Sequence, residues 1–158
     1  MAILALKTTE QDADYRGTPV NDHGKMRYQF FDLPAVAVAG DAGTTIDLCE
    51  LPPGRVRVIP SLSRVSFSAF GAARTMKIGH TAYPSRDIGA ADPEPADDNA
   101  FTPDAIDVSA AVSCLPISDG VLKYDVYSKT EVLIQALIEG GTIPAGATLS
   151  GFIAYVYE

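Results

Sequence analysis

The sequence predicts an all-β protein, an antiparallel β-sandwich or jelly roll with a long acidic loop and an irregular N-terminal arm. Two observations carry this. Apolar and polar residues alternate with period two through most of the chain, and the alternating runs are short and broken by Gly, Pro and Asp clusters. A third sets the scale: 158 residues, 47% of them hydrophobic and 20% charged, suffice for one core and are too few for two ordinary ones.

The cleanest run is 64–70. Val65, Phe67 and Ala69 fall on one face, and Arg64, Ser66 and Ser68 on the other, as in a half-buried strand. Just upstream, Val56 and Val58 oppose Arg55 and Arg57, with Pro60 as the break between the two runs. Residues 74–80 alternate again, Met76 and Ile78 against Thr75 and Lys77, and Gly71-Ala72-Ala73 reads as a tight hairpin connection. Further strands are expected over 26–31, 45–51, 121–127 and 149–157. In 121–127, Leu122, Tyr124 and Val126 oppose Lys123 and Asp125. The last run is apolar on both faces: Phe152, Ala154 and Val156 on one, Ile153, Tyr155 and Tyr157 on the other. Such a strand is central between two layers or half-covered by a neighbouring subunit.

Residues 130–139 fit two periods. Leu133/Leu137 and Ile134/Ile138 are four apart as in a helix, while Val132, Ile134, Ala136 and Ile138 form one apolar face of a strand. The stop at Gly140-Gly141 and the turn at Gly146 favour a β-hairpin. Two stretches lack periodicity. Residues 8–24 are polar and turn-rich, which makes 1–24 an N-terminal arm ahead of a single β-domain, 25–158. Residues 83–107 hold four prolines and seven acidic side chains. A long exposed loop is expected there, from which 93–99 should be removable without loss of folding.

A net charge of −8 argues against a nucleic-acid partner, because phosphate binding needs a basic footprint. No stretch approaches the roughly 18 apolar residues of a membrane-spanning helix, and the opening MAILAL is too short for a signal-peptide core, so synthesis in a cytoplasm and no membrane partner are expected. Cys49 sits in an apolar run and reads as a buried thiol; a bridge to Cys114 requires an oxidising compartment.

Chemistry-bearing patterns are scarce. His80 continues the Met76/Ile78 face and reads as a core or rim histidine, and His23 as a solvated loop residue. Neither cysteine has a catalytic context, and G-x-S-x-G, Walker-type and dinucleotide-binding motifs are missing. The four Cys and His residues are too scattered for structural zinc. The acidic stretch DPEPADDN lacks the spacing of a calcium loop. Expected, then, are no catalytic residues, no cofactor and no metal. Tyr83, Tyr124 and Tyr127 would suit sugar stacking, or equally a core.

Three segments together resemble the small virion structural proteins of tailed bacteriophages: LPPGRVRVIPSLSRVSFSAF, the following RTMKIGH, and the close GGTIPAGATLSGFIAYVYE, separated by an acidic middle. The likeness covers residues 45–158. It implies a β-sandwich or jelly-roll subunit that decorates or cements a phage head, assembled in the host bacterial cytoplasm and located in the virion. Its implied partners are the major capsid protein and itself, as a homotrimer. On this reading Phe152, Tyr155 and Tyr157 are the candidate subunit or capsid contacts. The alternatives are a tail, neck or fibre-base component of the virion, and a carbohydrate- or receptor-binding β-module.

Overall fold

The computed structural model describes residues 5–7, 25–87, 89, 92–118 and 120–157. Among them there are eleven strands and no helix: β1 (Ala5–Lys7), β2 (Met26–Leu33), β3 (Thr45–Leu51), β4 (Gly54–Val58), β5 (Arg64–Phe67), β6 (Thr75–His80), β7 (Ile106–Asp107), β8 (Val112–Pro116), β9 (Tyr124–Ser128), β10 (Val132–Glu139) and β11 (Leu149–Tyr157). The protein is all-β, in two sheets. The first has the order β1-β3-β10-β6-β7, and all its pairings are antiparallel except β1 with β3. The second is wholly antiparallel and organised around β11.

Strand β11 is central because both its edges are taken. Along one edge, β2 pairs from Leu33 opposite Leu149 to Met26 opposite Val156. Along the other, β4 and β5 lie in series, Val56–Val58 against Tyr155–Tyr157 and Arg64–Phe67 against Leu149–Phe152. Pro60 has no N–H for a ladder, and the chain turns there between the two strands. Ser63 Oγ fills the interruption by accepting a hydrogen bond from the Ala154 amide, 2.9 Å. Beyond β4 lies β9, and beyond β5 lies β8.

The inner faces of both sheets feed one core. Ile46, Leu51, Met76, Ile78, Ile134 and Ile138 come from the first sheet, and Phe31, Val56, Val65, Val126, Leu149 and Ile153 from the second. In β10 the even positions Val132 to Ile138 are fully buried and the odd ones only partly, so period two decides the ambiguous segment as a strand. The outer face of the first sheet is polar where it is partnered: Lys77 pairs with Glu139 at 3.0 Å, and Gln135 donates to Asp47.

Four sequence expectations need correction. Gly71-Ala72-Ala73 does not close a hairpin, because β5 and β6 belong to different sheets; the same holds for the connection from β10 to β11. The strand expected over 121–127 begins only at Tyr124, and Leu122 is 71% exposed. Finally, 92–102 is not a free loop. Asp97 and Glu94 pair with His80 and Tyr83 through backbone hydrogen bonds in both directions. Phe101 is fully buried, and Thr102 Oγ1 accepts from the Ile78 amide at 2.7 Å. A Cβ at Gly79 would overlap the Asp97 carbonyl, so the approach of this segment to β6 depends on glycine. Removal of 93–99 therefore takes out the backbone partners of His80 and Tyr83.

Cys49 is buried and Cys114 exposed, and neither is in a disulfide. Of residues 1–24, Ala5–Lys7 pair with Thr45–Asp47. The rest of the expected arm, including His23, lies outside the described residues.

Candidate interaction surface

Strand β2 carries the largest exposed apolar side chains clustered on any one strand. Its alternation turns Phe31 and Leu33 into the core and Met26, Tyr28 and Phe30 outward, where they are 41%, 50% and 59% exposed. Alternation alone would have put Met26, Tyr28 and Phe30 inside. The doublet Phe30-Phe31 is the sequence sign that both faces are apolar. Cross-strand pairing sets Phe152 of β11 opposite Phe30. The rings of Tyr28 and Phe152 meet edge to face at 5.3 Å, and those of Phe30 and Phe152 at 5.7 Å. Such pairs hold an aromatic face rigid before anything docks on it. Among the described residues β2 pairs only with β11.

The three expected contact residues divide. Phe152 belongs to this outward face. Tyr155 is 6% exposed and turned into the core, where burial raises its phenol pKa while Arg27 nearby lowers it. Its ring is not presented to a neighbour by the folded subunit. Tyr157 is half-buried at the end of the strand; its hydroxyl donates to the Pro53 carbonyl at 3.1 Å, and the Arg27 guanidinium lies 5.7 Å from its ring centre. Sequence reasoning missed Met26, Tyr28 and Phe30, which cross-strand register brings beside Phe152.

The opposite side of the same sheet is finished differently. The segment after β6 crosses to β9, where Ser85 pairs with Ser128 and the Arg86 amide donates to the Tyr127 carbonyl. Lys129 forms an ion pair with Asp92, and the resulting carboxylate hydrogen bond holds the Asp92 pKa below its ordinary value. Beside this seam is a cleft of about 450 Å³ where Tyr83, Tyr124 and Tyr127 converge with Asp87, Glu94 and Asp125. Arg57 neutralises Asp125 at 2.8 Å. His80, 3% exposed, lies behind the cleft. Its Nδ1 is 3.0 Å from the Thr81 carbonyl, which can only accept, so Nδ1 carries the proton. In that neutral tautomer Nε2 accepts from the Tyr124 hydroxyl at 2.9 Å. Burial, with Asp97, Tyr83 and Glu94 nearby, pushes the Tyr124 pKa up to about 12. His80 thus has a structural post between the Thr81 carbonyl and the Tyr124 hydroxyl. Among the described residues no three His, Cys, Asp or Glu side chains converge as a metal site would require.

The fold is similar to that of a chain in the capsid of Ralstonia phage GP4, with a TM-score of 0.64 and 22% identity, over 98% of this chain and 99% of that one. A chain of the cyanophage Pam1 capsid asymmetric unit aligns with a TM-score of 0.45 and 11% identity, over 96% and 98% of the two chains. A chain of the acid-stable capsid of Helicobacter pylori bacteriophage KHP30 aligns with a TM-score of 0.33 and 12% identity, over 82% and 95%. At 22% identity the first of these shares a fold. No protein-family model matches the chain, and no curated protein does.

Proposed function

We propose that this chain is a structural protein of a tailed-bacteriophage virion, and within the virion a decoration or cement subunit of the head. The observation that carries the reading is the end-to-end likeness of its fold to a chain of the Ralstonia phage GP4 capsid. A virion role agrees with the chemistry of the subunit: its conspicuous surface feature is a rigid apolar face on an edge strand, the kind of patch that marks a protein contact. On this reading the protein is no enzyme and needs no cofactor. Phe152, flanked by Tyr28 and Phe30, docks against the major capsid protein or a second copy of the chain, with Tyr157 at the rim, and the copies associate as a homotrimer. A net charge of −8 leaves nucleic acid out of the partnership.

The deciding experiment is co-sedimentation of the purified chain with phage heads stripped of accessory proteins, with copy number read from band intensity. Saturable binding at a stoichiometry commensurate with the head subunits is the expected result. A handful of copies per particle would assign the chain to the tail or neck instead, and no binding to any virion part would overturn the virion reading.

A further inference from the structure

We infer that the cleft between β9 and the acidic segment binds an uncharged oligosaccharide. This goes beyond the virion reading and does not depend on it. Three tyrosines from separate parts of the sequence meet there: Tyr124 and Tyr127 from β9, and Tyr83 from the segment after β6. Tyr127 is 39% exposed and offers its ring to a ligand, while Tyr124, partly buried against the core, and the nearly buried Tyr83 form the wall and floor. Flat, C–H-rich pyranose faces pack on such rings, whose polar tips remain available for hydroxyl groups.

The polar groups suit the same ligand. Among the described residues the carboxylates of Asp87 and Glu94 have neither an ion-pair nor a hydrogen-bond partner, and both line the cleft. Each can accept from a vicinal pair of sugar hydroxyls, and Arg55 lines the same cleft. The Tyr124 proton is engaged by His80, which leaves the phenol oxygen as an acceptor. Its ring is held edge-on against Phe101, centroids 5.3 Å apart and planes at 89°. A site fixed in advance loses little freedom on binding.

Charge and size decide between ligand classes. The unpaired carboxylates repel sulfated, phosphorylated or uronic saccharides, which leaves uncharged ones. They would also attract a basic side chain, but about 450 Å³ is far more than one guanidinium or ammonium group fills and lies within the range of small-ligand sites.

The test uses the full chain and saturation-transfer NMR. The probes are chitotriose, maltotriose and cellotriose, with sialyllactose as an anionic control and a tri-arginine peptide as a cationic one. Saturable binding of at least one uncharged trisaccharide is expected, weakened at least tenfold by Tyr127→Ala and by Glu94→Gln. Tyr28→Ala, an exposed ring on the other side of the sheet, should leave it unchanged. Circular dichroism of each variant confirms folding. Binding of the tri-arginine peptide alone, binding of no uncharged trisaccharide, or full binding by folded Tyr127→Ala would each overturn the proposal. None of these outcomes alters the co-sedimentation result, so the two readings stand or fall separately.

Discussion

Strands β2 and β9 bound the same sheet, on either side of β11 and β4, and the chain finishes them in opposite ways. At β9 it returns a proline-rich acidic segment that pairs with the strand at Ser85, ties back to β6 through His80/Asp97 and Tyr83/Glu94, and plugs the gap between the sheets with Phe101. At β2 no described residue pairs with the outer edge, and the outward side chains are Met26, Tyr28 and Phe30. A cluster of exposed aromatics favours association, whereas a capped edge with surplus carboxylates resists it. The difference teaches that energy invested at β9 serves the fold of the subunit, while apolar area left at β2 is available for a partner.

That contrast can be broken by mutation. The largest effect is expected at the capped edge. Phe101→Ala removes a fully buried ring that packs against Tyr124 and should cost about 3–5 kcal/mol in denaturant unfolding. A loss below 1 kcal/mol would mean that the acidic segment is not integral to the core. Thr102→Val comes next: it leaves the buried Ile78 amide without its acceptor and should cost about 1–3 kcal/mol.

At the bare edge the pattern should invert. Phe30→Ser loses one exposed ring contact and should change stability by about 1 kcal/mol or less, while binding to stripped heads falls at least tenfold. Unchanged head binding would move the contact away from β2.

The smallest effect is a pH dependence at β9. The Tyr124 pKa is raised in the folded chain to about 12 from an ordinary 10, so the fold holds the proton more tightly than the unfolded chain does. The corresponding stability is complete below pH 10 and is lost as pH rises towards 12. Tyr83 and Tyr155 are raised in the same sense. Tyr124→Phe should therefore flatten the alkaline limb of the unfolding profile without abolishing it. An unchanged slope would place the titrating group elsewhere.

Several of these features were legible in the sequence. The strands at Thr45–Leu51 and Leu149–Tyr157 have the expected bounds, because runs rich in apolar and β-branched or aromatic residues, flanked by Gly, Pro or Glu, leave little freedom of placement. Pro60 marked the break between β4 and β5 for the same local reason. The two-residue β7 and the largely exposed β8 escaped notice, since neither displays a usable alternation. Phe152 stood out through its two-sided apolar strand, whereas the exposed Tyr28 and Phe30 that lie beside it did not, because register between strands is a long-range property.

What the sequence determined by itself was the class of structure and the period of each run: side-chain alternation and turn residues act within a few positions, and their physics is local. Tertiary structure alone decided which sheet each strand joined, so that turns around 71–73 and 140–148, alike in composition to hairpin turns, became crossings between sheets. It also decided which face of β2 turned outward. With both faces apolar, the choice rested on which set could pack against β3 and the rest of the core, and Phe31 and Leu33 took the inner side.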